Sequence, residues 1–124
     1  MQLTLERPDH EFFLRGADGN VALVNDRQLS RSFVIAPDRL DEHWPATDPS
    51  ALTPEMLEPL LALQPAVILL GTGARQVFPP AAVMATGLRR GVGIEVMTNA
   101  AAARTFNVLA GEGRKVVAGL MFPG

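Results

Sequence analysis

Apolar and polar positions fall into three textures along the chain. Up to about Pro37, apolar residues come in short runs broken by Gly, Asp and Asn. Phe12-Phe13-Leu14 precedes Gly16-Ala17-Asp18-Gly19, and Asn20 to Val24 precedes Asn25-Asp26. Runs bounded in this way predict hairpins, because Gly and Asn accept the backbone angles of tight turns. Phe33-Val34-Ile35 predicts a further strand, stopped by Pro37. Together these segments read as an antiparallel meander covering one side of something larger.

From Pro37 to Pro65 the chain holds six of its ten prolines. Leu40, Trp44 and Leu52 give this stretch apolar anchors, so it reads as a packed excursion rather than a linker. One helix is expected inside it. Thr53 caps, Pro54 suits the first helical position, and Glu55 complements the positive end of the helix dipole. Met56, Leu57, Leu60, Leu61 and Leu63 supply the buried face. Pro59 removes a hydrogen bond and crowds the preceding turn, which predicts a kink or a late start.

Beyond Pro65 the pattern alternates. Ala66 to Leu70 is a continuous apolar run, as in a strand covered on both faces. Pro80 to Arg90 reads as a helix stopped by Gly91. Gly93 to Met97 is the next strand. A helix capped by Thr98 or Asn99 follows, running to Ala110 with Gly111 as its left-handed terminator. Arg114 to Phe122 closes the chain as a strand. Strand, helix, strand, helix, strand is the pattern of right-handed crossovers in a parallel sheet.

Composition narrows the function classes. At 124 residues and 13.3 kDa, residues 1–124 fit a single domain. With 48% apolar and 19% charged residues, the chain has material for a core, which excludes disorder. The longest strongly apolar run, Ala66 to Leu70, is five residues, against the roughly 20 a membrane helix needs. No membrane span is therefore expected. The opening MQLTLERPDHE shows no basic stretch followed by an apolar one, so no secretory signal is read and a cytoplasmic location is expected. Zero cysteines exclude disulfides, thiolate metal sites and a cysteine nucleophile. Net charge is −2 and aromatics are 6%, without a stacking motif, so no nucleic-acid partner is expected. The charge is unevenly spread: residues 1–61 carry 11 acids and 5 bases, residues 62–124 carry 2 acids and 6 bases. That asymmetry is able to orient a partner.

The most suggestive local feature is Gly71-Thr72-Gly73-Ala74-Arg75, directly after the buried strand. Loops at the carboxyl ends of parallel strands are where open α/β sheets bind ligands. Paired glycines let backbone N–H groups approach an anion, and Arg75 adds a fork of donors. The third glycine of the dinucleotide fingerprint is replaced by Gln76, and the Gly-Lys-Ser/Thr of the phosphate-binding loop is absent. A plain structural turn is the competing reading. Thr98 and Asn99 end the neighbouring strand and join the same rim, either as helix caps or as ligand contacts. Phe78, between Val77 and Pro79-Pro80, brings an aromatic to that rim, or else packs inward as a staple.

Gly71, Thr72, Gly73, Arg75, Phe78, Thr98 and Asn99 thus form the candidate ligand or partner rim. Asn107 suits a packing hydrogen bond. Asp9-His10-Glu11 and Asp41-Glu42-His43 read as surface residues rather than metal ligands, so neither a metal nor a cofactor is expected. Ser30, Ser32 and Ser50 lack a nucleophile elbow, and tyrosine is absent. No catalytic residue is assigned. Glu112 and Arg114 are spaced for an exposed ion pair.

Taken in order, Ile68-Leu69-Leu70-Gly71-Thr72-Gly73, Gly93-Ile94-Glu95-Val96-Met97-Thr98, Thr105-Phe106-Asn107-Val108-Leu109 and Glu112-Gly113-Arg114-Lys115-Val116-Val117 form a recognisable series. With Ser32-Phe33-Val34-Ile35, Pro37 and Trp44, the chain resembles the small Mth938-like, DUF498-type family of bacterial, archaeal and mitochondrial proteins. The resemblance spans nearly the whole chain. It implies a three-layer α/β fold around a central mixed sheet, with an N-terminal antiparallel β meander. Mitochondrial members include a respiratory complex I assembly factor that acts through protein contacts, and no catalytic residues carry over. Asn99 followed by four alanines departs from the expected start of the last helix. The sequence therefore supports a non-enzymatic interaction or assembly protein with a protein partner, working on a respiratory or membrane complex. The alternative is a small-molecule or anion-binding α/β domain, an enzyme included, that uses the loops after the parallel strands.

Overall fold

The computed structural model describes residues 10–123. Asp9 and most of the opening segment read for a leader lie outside the described residues. Three short strands come first: β1 (Leu14–Ala17), β2 (Ala22–Val24) and β3 (Arg27–Leu29), an antiparallel sheet in that order. Asn25 has φ 54° in the two-residue turn between β2 and β3, the conformation that asparagine tolerates.

The second sheet contains β4 (Phe33–Ala36), β5 (Arg39–Asp41), β6 (Val67–Gly71), β7 (Gly93–Met97) and β8 (Val116–Leu120) in the order β5-β4-β8-β6-β7. β6 runs parallel to β7 and β8, while β4 is antiparallel to β5 and β8. Phe33–Ile35 therefore belongs to the central sheet and not to the meander. The reason is burial: all four residues of β4 are buried, a condition met by a strand covered on both faces and not by a half-solvated hairpin.

Side chains alternate across this sheet. Phe33, Ile35, Leu69 and Ala118 face the meander and α3 (Asn99–Gly111). Val34, Ile68, Leu70 and Val117 face the proline-rich excursion, α1 (Glu58–Leu61) and α2 (Ala81–Arg89). The helices α2 and α3 lie on opposite faces because β7 and β8 flank β6 on opposite sides, as right-handed crossovers require. Trp44 anchors the excursion. Its ring lies so close to Gly119 that a Cβ there would come within 2.7 Å of it, and its indole N–H donates to the Met56 carbonyl at 2.9 Å.

Helix ends differ from the sequence pattern in two places. Pro54–Leu57 is a 3₁₀ turn, and α1 begins only at Glu58, with Pro59 in the first turn where its missing N–H costs nothing. Thr53 contributes its carbonyl to Met56 N–H but makes no side-chain cap. α3 runs through Gly111, and the left-handed residue is Gly113 at φ 75°. Arg114 N–H reaches the Leu109 carbonyl and Gly113 N–H that of Ala110, the paired bonds of a Schellman motif.

The meander docks through a side chain. Asn107 of α3 accepts from Leu14 N–H at 2.9 Å and donates its amide to the Leu14 carbonyl. Its carboxamide thus stands where a neighbouring strand's peptide would. Among the described residues, no helix is long and apolar enough to cross a membrane.

At the β7 edge, Met97 carbonyl and Thr72 N–H are bonded, and Gln76 Nε2 donates to the Val96 carbonyl at 2.8 Å. Alternation then turns the peptides of Gly93, Glu95 and Met97 to β6 and those of Ile94 and Val96 outward. Amide hydrogen exchange should be slow at Val67–Leu70, Glu95 and Met97 and fast at Ile94 and Val96. Uniform protection along β7 would contradict its place at the edge.

Candidate functional site

The rim is built at the carboxyl ends of β6 and β7, whose following helices leave toward opposite faces. That is the topological switch point at which open α/β sheets form a ligand crevice. Here a side chain fills it. Asn99 is 0% exposed. Its N–H donates to the Gly73 carbonyl at 2.8 Å, and its Oδ1 accepts from Gly73 N–H at 3.1 Å. Its Nδ2 donates to the carbonyls of Asp18 at 3.0 Å and Met121 at 3.1 Å. One carboxamide therefore ties together the loop after β6, the β1–β2 turn and the end of β8.

The glycines serve this arrangement. A Cβ on Gly71 would lie 2.4 Å from Asn99 Oδ1, and Gly73 sits at φ 96°, a region L side chains avoid. Thr72 is buried, and its hydroxyl donates to the Arg75 carbonyl at 2.6 Å while accepting from Val77 N–H at 3.1 Å. Thr72 N–H donates to the Met97 carbonyl. In the loop whose paired glycines read from the sequence as an anion cradle, the N–H groups of Thr72 and Gly73 are thus engaged within the protein. Thr98 caps α3, its Oγ1 accepting from Ala101 N–H at 3.2 Å.

What the rim presents outward is Arg75 and Phe78. Arg75 is exposed and has no acidic partner among the described residues. Phe78 is 65% exposed, so it does not pack inward as a staple. Thr72, Gly73 and Arg75 line an open groove of about 550 Å³, while Phe78 and Thr98 lie outside its lining. The opposite wall comes from Asp18, Asn20, Thr47 and Asp48, which sequence reading did not place here. No local signal announces a contact between the β1–β2 turn and a loop some fifty residues later.

Both aspartates are turn builders. Asp48 Oδ1 accepts from Ser50 N–H at 3.0 Å and Ser50 Oγ at 2.7 Å. Asp18 Oδ1 accepts from the N–H groups of Asn20 at 2.7 Å and Val21 at 2.9 Å, and these bonds hold its carboxyl below the usual aspartate range. A lowered carboxyl pKa stabilises the fold above the ordinary aspartate range and loses that contribution as pH falls through the lowered value.

His10, Glu11 and the Asp41-Glu42-His43 cluster lie outside the lining of the rim groove. Asp41 Oδ1 accepts from His43 N–H, and Glu42 pairs with Arg27 at 2.7 Å. Among the described residues, no three His, Asp or Glu side chains converge as metal ligands. The expected Glu112–Arg114 ion pair is not formed, because the Schellman turn at Gly113 separates the two side chains. Among the described residues, the pairs that form are Arg27–Glu42 and Arg90–Glu58.

Asn99→Ala should cost about 3 kcal/mol, since it strips the Gly73 N–H and two carbonyls of their partners in a buried setting. Arg75→Ala should cost less than about 0.5 kcal/mol, the scale of surface changes. Urea denaturation followed by circular dichroism measures both. Equal midpoints for the two variants would remove Asn99 from its central place.

Residues 15–121 match the family described as "Protein of unknown function (DUF498/DUF598)". A Xanthomonas campestris protein solved by NMR is 54% identical, with 98% of this chain and 92% of that one covered at a TM-score of 0.83. A Bordetella pertussis protein described as a Mth938-like domain is 28% identical over 98% and 92% of the two chains, with a TM-score of 0.80. A Francisella tularensis relative named "13 kDa major membrane protein" is 32% identical over 76% of this chain and 77% of its own length. The family match spans every strand and helix that builds the rim, and the chain belongs to the DUF498/DUF598 family.

Proposed function

We propose that this chain is a non-enzymatic interaction protein that assists a membrane-associated complex, binding a protein partner at the rim formed by the loop after β6. The observation that carries this reading is the Asn99 side chain in the switch-point crevice: the place where this sheet topology usually holds a substrate is spent on scaffolding. Arg75 and Phe78 remain, and arginine and aromatic side chains supply a disproportionate share of interface energy. The loop between them and α2 is stiffened by Pro79 and Pro80, which lowers the entropy lost on binding. The name of the Francisella relative supports a membrane-borne partner, reached in this reading from the cytoplasmic side. The alternative reading, an anion held by the same loop, is disfavoured by the engaged N–H groups of Thr72 and Gly73.

A photo-crosslinking residue placed at Phe78 tests the reading in the native cell. A discrete adduct is expected at 78 and not at Val108, an exposed position on α3. Arg75→Ala should weaken capture about tenfold while the denaturation midpoint stays in place. Identical adducts from both positions, or none at 78, would refute the proposal.

A further inference from the structure

The central sheet forks at the end opposite the rim. The antiparallel ladder of β4 and β8 pairs Phe33 with Leu120 and Ile35 with Ala118. Continued, that register would set Pro37 opposite Val116, but proline has no N–H to extend the ladder. Pro37 instead gives its carbonyl to Phe12 N–H, and β4 turns away into β5. Between the departing hairpin and the start of β8 lies a cavity of about 650 Å³, within the roughly 300–1,000 Å³ of small-molecule sites.

Its lining has two characters. Ala36, Leu63, Ala110 and Val117 give it an apolar floor. Arg39, Arg114 and Lys115 stand around its mouth with Glu11 and Asp38, and none of the three cations has an acidic partner within ion-pair distance among the described residues. Among the described lining residues, three cations against two carboxylates leave one unit of positive charge, which suits a monoanion better than a dianion. His10 also borders the cavity, and both of its ring nitrogens are buried without a hydrogen-bond partner among the described residues. A neutral imidazole carries one N–H, and a buried donor without an acceptor is an unmet demand.

The geometry points to a binding site for a small organic carboxylate with an apolar body, at the fork between Pro37 and Val116. The carboxylate meets the guanidinium forks of Arg39 and Arg114 and the Lys115 ammonium, and the apolar body rests on the floor beneath. This site is separate from the rim, and its occupancy does not depend on the partner proposed there.

Sodium octanoate, octanol and inorganic phosphate, each titrated into the full chain and followed by backbone amide and histidine ring shifts, test the assignment. Octanoate should shift Arg39, Arg114–Val117 and the His10 ring, binding at least about tenfold tighter than either of the other two. The double variant Arg114→Ala, Lys115→Ala replaces two exposed side chains and should weaken octanoate about tenfold or more with an unchanged denaturation midpoint. Arg75→Ala should leave octanoate binding as it is. Octanol binding as tightly as octanoate would remove the charges from recognition, and phosphate binding as tightly would mean an adventitious ion only. Either result, or no shifts at the fork, would overturn the proposal.

Discussion

Short strands end often, and each end leaves peptide groups that lack a ladder partner. Buried groups of that kind must be bonded or the fold forfeits the desolvation cost. In this chain the demand is met by a few polar side chains that imitate a peptide. Asn99 does so for three segments at once. Asn107 does it for Leu14 at the edge of the meander, and Ser32 does it for Phe122, accepting its N–H at 2.9 Å and donating to its carbonyl at 3.3 Å. The two sheets and α3 keep their relative placement through these contacts, since the apolar core is non-directional.

The same constraint divides the molecule functionally. At the carboxyl ends of the parallel strands, polar groups are consumed by one another, and what faces outward is side-chain surface. At the amino ends, Pro37 stops the ladder, no side chain of the described residues fills the opening, and the cavity at the fork is the result. A single sheet thus has one end closed by an asparagine and the other held open by a proline. The charge asymmetry of the sequence has a local expression at that open end, where Arg114 and Lys115 from the basic half meet Arg39 from the acidic one.

Elements whose evidence is local were legible in the sequence. β6 followed from an apolar run between Pro65 and Gly71, β7 from the short run Gly93 to Met97, and α3 from a cap at Thr98 or Asn99 and a glycine stop. β4 was found as a strand but given to the meander, because a short apolar run does not say which sheet completes it. The end of α3 was misplaced because Gly111 and Gly113 are chemically alike, and only the bonds from Gly113 and Arg114 distinguish them. In the rim, Thr72, Gly73 and Arg75, grouped in the sequence by the rule of strand ends, line one groove. The groove's far wall was not legible, since Asn99 meets the Asp18 carbonyl across 81 positions and no pattern encodes that distance.

Trp44 gives the molecule an uneven optical character. It is the one tryptophan in a chain without tyrosine, and it is wedged against Gly119 with its indole N–H on Met56. Its emission therefore senses the excursion leaving the sheet, on the face shared with α1 and α2. The other face, where α3 and the meander meet the sheet, has a core of phenylalanine and aliphatic side chains, with the His10 ring edge-on to Phe106. Loosening confined to that face is spectroscopically silent in fluorescence, so a protein whose meander has undocked would still glow as native.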